Sequence, residues 1–267
     1  MTAGPEGAEP LAASWFLAER VHERILAIAE PHHAEWVVSY LVTGPEAAVL
    51  IDTGTGYGDI GAAVAASTGL PVTVVLTHTH WDHIGGTAAF DRVVLFDDPV
   101  ERARLADGFT SSAIGGLCDP GRFGPPFTPR DFTVPGRADA ELVHDGDNLA
   151  IGGLRLRVIH TPGHSPGSMS LLMPDLGAVA VGDLVYDGPL YAHLPGADPV
   201  AYAASVDRLL GVLAGIDLVL PGHNATHAGP GLVREAARVL HHWQATGQDD
   251  IVLGAGRMRL LTHRTGG

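Results

Sequence analysis

Short apolar runs and amphipathic stretches alternate along this chain. Residues 23–29, 35–43 and 47–51 are rich in Val, Ile and Leu and read as consecutive strands. Residues 59–67 read as a helix and 72–77 as a buried, β-branched strand. A strand over 93–96 leads into a helix over 99–106. Strands resume at 154–160, 168–173 and 178–181, and a helix follows over 199–213. The pattern closes with a strand at 217–220 and an amphipathic helix at 232–243. A meander that gives way to strands alternating with helices, and then repeats, predicts an α/β protein of two mixed sheets flanked by helices.

Between residues 107 and 137 this texture breaks down. Gly115-Gly116, Asp119-Pro120-Gly121 and Gly124-Pro125-Pro126 crowd together, which predicts a loop insertion. Residues 1–14 read as a flexible tail and 15–267 as one domain. No apolar run is long enough to span a membrane, and the start lacks the basic and apolar regions of a secretory signal, so the expectation is a cytoplasmic protein. The lone cysteine, Cys118, excludes an internal disulfide and any multi-cysteine metal site. Net charge is −14, and all 16 basic residues are Arg. That balance argues against nucleic acid as a partner, since a phosphate backbone requires a broad basic face.

The chemistry is concentrated at strand ends. Thr77-His78-Thr79-His80-Trp81-Asp82-His83 puts four metal-ligand candidates into six residues, directly after a buried strand. In an extended stretch alternate side chains share a face, so His78 and His80 can grip one ion together. Asp82 and His83, one turn on, can reach a second. Three more candidates follow predicted strands: His164 in Gly163-His164, Asp183 in Gly182-Asp183, and His223 in Gly222-His223. The adjacent Gly and Pro residues allow tight turns that aim these side chains toward one edge.

The order H-x-H-x-D-H, Gly-His, Gly-Asp, Gly-His resembles the metallo-β-lactamase superfamily, with a match from about Glu23 to His227. The resemblance implies a four-layer αββα sandwich and two divalent metal ions. It assigns His78, His80 and His164 to the first ion and Asp82, His83 and His223 to the second, with Asp183 bridging. Asp52, in Ile51-Asp52-Thr53-Gly54, supports the ligands without being one. Imidazole and carboxylate donors suit zinc, and iron or manganese also fit. Two such ions generate hydroxide near neutral pH for attack on a carbonyl, with Asp82 positioned to orient it and pass a proton.

A bridging aspartate makes the chain similar to glyoxalase II, lactonases and thioesterases more than to penicillin-cleaving members, leaving β-lactam hydrolysis a minor alternative. A mononuclear iron persulfide dioxygenase is disfavoured by the intact second-ion ligands. Glyoxalase II carries a Tyr two residues after its last ligand His, where this chain has Ala225. Asp183-Leu184-Val185-Tyr186 resembles the arrangement in acyl-homoserine lactonases and implies that Tyr186 donates to the substrate oxyanion. The stretch 181–190, Asp145-Gly146-Asp147 and Phe90-Asp91-Arg92-Val93 resemble a branch that includes acyl-coenzyme A hydrolases. Arg92, Arg102, Arg104, Arg122, Arg130 and Arg137, interleaved with Phe109, Phe123, Phe127 and Phe132, fit the phosphates and acyl chain of such a thioester. The expected partner is therefore a small-molecule acyl thioester, ester or lactone.

Overall fold

A computed structural model describes residues 9–11, 15–110, 132–248 and 258–262. The chain forms two compact units that interleave in sequence. The first comprises Met1–Leu95, Arg102–Leu142 and Ala150–Leu154; the second comprises Phe96–Glu101, Val143–Leu149 and Arg155–Gly267.

The first unit is built on an eight-stranded sheet whose strands follow chain order: β1 (Glu9–Leu11), β2 (Phe16–His22), β3 (Ile25–Ala29), β4 (Val38–Thr43), β5 (Ala48–Ile51), β6 (Val72–Val75), β7 (Arg92–Phe96) and β8 (Glu141–Val143). Strands β1 to β5 pair antiparallel, and β5, β6 and β7 pair parallel. A parallel pair needs a crossover. Helix α1 (Ile60–Ser67) supplies the one from β5 to β6, its first turn capped by Asp59, whose side chain accepts from the Ala62 amide. Helix α2 (Trp81–Ile84) lies in the crossover from β6 to β7. Ile60, Ala63 and Val64 of α1 share a core with Leu41, Leu50, Val74 and Leu76 of the sheet and its continuation. The central strands carry near-continuous apolar runs because both their faces are buried.

A five-stranded sheet, four of whose strands lie wholly or almost wholly in the second unit, has the order β14-β12-β11-β10-β9: β9 is Asn148–Ile151, β10 Leu154–His160, β11 Met169–Met173, β12 Ala178–Gly182 and β14 Leu218–Pro221. Strands β10, β11 and β12 are antiparallel, while β12 and β14 are parallel. Helices α4 (Pro199–Leu210) and α5 (Gly231–Thr246) pack their apolar faces into this unit's core: Tyr202, Val206 and Leu209 from one and Val233, Ala236 and Leu240 from the other meet Val179, Val181 and Val219. A separate parallel pair joins β13 (Pro189–Tyr191) to β15 (Arg259–Leu261). Helix α3 (Pro99–Asp107) starts in the second unit and ends in the first.

The expected mixed sheets flanked by helices are present. Several boundaries differ from the hydrophobic pattern. The strand expected from residue 35 begins at Val38, since Trp36 takes a left-handed φ of 47°. Glu9–Leu11, inside the stretch expected to be a tail, pairs with β2. Most of the expected 107–137 insertion, with Cys118, Arg122, Arg130, Phe123 and Phe127, lies outside the described residues. At its base Phe109 and Val134 exchange both backbone hydrogen bonds, at 2.9 and 2.8 Å. Among the described residues, no helix is long and apolar enough to cross a membrane.

Candidate metal centre

In the first unit, the chain leaves β6, stays extended through Thr77-His78-Thr79-His80 and turns into α2. His78 and His83 are fully buried, Asp82 is almost so, and His80 is half-buried. The His78 ring lies 4.7 Å from that of His80 and 4.2 Å from that of His83, centroid to centroid.

Asp52 organises this cluster. It follows β5 in a left-handed conformation, φ 58°, a region that Asp tolerates better than most residues. Its carboxylate accepts from the Thr77 amide and the Thr77 hydroxyl, both at 2.7 Å, and faces His83 Nδ1 at 2.9 Å. Engaging Nδ1 fixes the tautomer that leaves Nε2 for a metal. The Thr53 amide and hydroxyl both donate to the His83 carbonyl, at 2.8 and 3.0 Å, and the Gly85 amide donates to the Gly54 carbonyl at 2.9 Å. A Cβ on Gly85 would lie 2.1 Å from the Thr55 backbone, so this close approach requires glycine. Behind it, buried Glu30 accepts from the Thr55 amide at 2.8 Å, from the Thr55 hydroxyl and from Trp15 Nε1 at 2.9 Å. Burial pushes the Glu30 carboxyl above its usual range, against the opposing pull of the bonds from Thr55 and Trp15.

In the second unit, the ligand candidates come from three separate strand ends. His164 lies in the turn between β10 and β11, Asp183 follows β12, and His223 follows β14. Gly163 sits at φ 140°, with Tyr202 packed where a side chain would go. His164 Nδ1 faces the Tyr191 carbonyl at 3.1 Å, and its Nε2 faces Asp183 at 3.3 Å. His223 Nε2 lies 3.1 Å from the same carboxylate. Exposure of the three is 1%, 6% and 4%. Tyr202, buried in α4, donates its hydroxyl to the Asp183 carbonyl at 2.6 Å; burial chiefly, then the Asp183 charge, raises the phenol well above its usual pKa.

These groups fit a metal. A neutral imidazole that donates Nδ1–H to a carbonyl has a lone pair on Nε2, and at His164 that lone pair would face a carboxylate. Two electron-rich atoms in a buried site repel unless a cation lies between them. The donors are imidazole and carboxylate, the set that borderline and hard divalent ions take.

Among the described residues, each ligand candidate and Asp52 is one that the sequence pattern names. That pattern missed Thr77, Tyr191 and Tyr202, which act through backbone or hydroxyl contacts that carry no sequence signature. Tyr186 lies with its ring 5.2 Å from that of His223, and its hydroxyl donates to the Pro189 carbonyl. A phenol has one proton to give, so donation to a substrate requires that bond to be exchanged. Arg137, one of the six arginines expected to meet phosphate, instead binds Asp139 and the carbonyls of Thr87, Phe90 and Asp91, and Arg92 pairs with Glu141 at 3.0 Å.

The fold has solved counterparts: a metallo-β-lactamase from Pontibacter korlensis superposes with a TM-score of 0.63 at 19% identity, covering 85% of this chain and 99% of that one. The metallo-β-lactamase superfamily model matches residues 37–223, and the chain belongs to that superfamily. It is 32% identical over 221 residues to the human protein named acyl-coenzyme A thioesterase MBLAC2, covering 75% of this chain and 77% of that protein. It is also 32% identical over 198 residues to a hydroxyacylglutathione hydrolase of Anaeromyxobacter dehalogenans, covering 73% and 63%.

Proposed function

We propose that this protein is a dinuclear metal-dependent hydrolase that cleaves acyl thioesters of the coenzyme A type. The observation that carries the substrate class is the 32% identity to a protein named an acyl-coenzyme A thioesterase, sustained over three quarters of both chains. The ligand set supports the reaction type. His78, His80, His164 and Asp183 would hold one ion, and Asp82, His83 and His223 the other, with Asp183 serving both. Zinc suits these donors, with iron or manganese as alternatives.

When bound, the ions would acidify water and polarise the thioester carbonyl. The remaining work belongs to the chain. Asp52 and the Tyr191 carbonyl hold His83 and His164 by Nδ1, so that each presents Nε2 in a fixed direction. Thr77 sets the exit from β6 through its two bonds to Asp52, and thereby where His78 starts. Asp82 orients the attacking water and takes its proton. Tyr186 backs the His223 ring and keeps its hydroxyl on Pro189.

The test counts the metals and follows oxygen consumption in the protein as purified, then loads it with zinc and assays acyl-coenzyme A, glutathione-thioester, homoserine-lactone and β-lactam panels. Two ions per chain and highest kcat/KM on the acyl-coenzyme A panel are expected. Preference for lactones would overturn the substrate assignment, and one iron per chain with oxygen consumption would overturn the reaction type.

A further inference from the structure

Among the described charged groups of the second unit, Glu101 stands apart because it is fully buried and lies outside the proposed ligand set. It sits in the first turn of α3, where Asp98 Oδ1 accepts from the Val100 and Glu101 amides at 2.8 and 3.2 Å. Its side chain enters the turn that carries His164. One carboxylate oxygen, Oε1, accepts both from the Ser165 hydroxyl and from the Gly167 amide, the latter at 3.2 Å. The contact is close: a Cβ on Gly167 would lie 2.4 Å from Glu101 Cγ and 2.7 Å from Asp98 Cβ.

The other side of the turn is held by α4 and the residues before it. The Asp198 amide donates to the Gly163 carbonyl at 2.8 Å, and the Ser205 hydroxyl to the Pro162 carbonyl at 2.6 Å. Within the turn, the Gly163 and Ser168 amides both donate to the Ser165 carbonyl, at 3.3 and 3.2 Å. His164 thus hangs from a backbone clamped between two helices, and Glu101 is the clamp from α3. Burying a carboxylate is costly unless hydrogen bonds compensate it, as those from Ser165 and Gly167 do. Here both bonds land within three residues of a ligand.

We infer that Glu101 is a positioning residue for the metal ligand His164, acting through Ser165 and Gly167. The inference rests on the reading of His164 as a ligand. Partners of this kind typically change metal affinity about 10–100-fold.

The experiment measures zinc affinity by competition with a chromophoric chelator, together with the visible spectrum of the cobalt(II) form, for wild type and three variants. Glu101→Leu should weaken one of the two ions by about 10–100-fold and shift the cobalt spectrum, while the other ion is retained. General unfolding would release both ions. Glu101→Gln keeps an accepting oxygen and should restore affinity to within a few-fold of wild type. If Glu101→Leu does not fold, Ser165→Ala decides: it removes one bond and should weaken the same ion to a smaller degree. Wild-type affinity and spectrum in Glu101→Leu, or in Ser165→Ala when Glu101→Leu is unfolded, would overturn the inference alone. Wild-type protein that takes up no metal would overturn the metal reading and this inference with it.

Discussion

The two units offer their ligand candidates in opposite ways. The first places His78, His80, Asp82 and His83 on one strand exit and one helical turn, so local backbone geometry sets most of their spacing. The second gathers His164, Asp183 and His223 from three strand ends, so their spacing depends on the register of β10, β11, β12 and β14. A local cluster needs one good anchor, here Asp52. A dispersed one needs several anchors, here the Tyr191 carbonyl for His164 and the Tyr202 hydroxyl for the backbone of Asp183. Loss of one anchor, Asp52, should therefore disturb the whole first cluster, whereas loss of one anchor in the second unit should disturb one ligand candidate at a time.

The hardest break is Asp183→Asn. It removes the charge that two imidazoles share, so activity should fall by orders of magnitude and both ions should be lost together, as metal analysis would reveal. Retention of both ions with near-normal turnover would show that Asp183 is not shared. Asp52→Ala comes next. It releases His83 Nδ1 and both Thr77 bonds at once, and should cost about 10–100-fold in affinity for the ion held by His83, measured by chelator competition. If the first unit's ligands hold without it, the single-anchor idea fails.

Tyr202→Phe tests the dispersed side. Losing one buried hydroxyl bond to the Asp183 carbonyl should lower stability by about 1 kcal/mol, read from urea unfolding, with turnover changed only a few-fold. Tyr186→Phe should have the smallest effect. Its ring stays against His223 and the bond to Pro189 is lost, so kcat should change by less than about tenfold. Donation to a substrate oxyanion would typically cost about 100–1,000-fold. A drop of that size would mean that the phenol leaves Pro189 during turnover.

The same contrast explains what the sequence could and could not reveal. The local cluster was legible because residue type and spacing both lie within one short window. The dispersed ligands were legible because glycine marks each strand end and the order matches a known superfamily. The anchors were a different matter. Tyr202 reads as one more apolar position on a helix, Tyr191 contributes only its carbonyl, and Glu101 resembles any acidic residue in a first helical turn. Short strands such as β1, β13 and β15 were missed as well, since three residues carry too little periodicity to be distinguished from a loop.

The pairing of β13 with β15 has a consequence in time. Tyr191, whose carbonyl steadies His164, belongs to a strand whose parallel partner is Arg259–Leu261. A ribosome makes about 5–20 residues per second, so the partner strand emerges roughly 4–14 s after Tyr191. All seven candidate ligand side chains have by then been synthesised. On the proposed reading, the nascent protein thus passes through a window in which it has every candidate ligand but lacks the strand that pairs with β13. Ions acquired in that window would meet a looser His164 than those acquired after release.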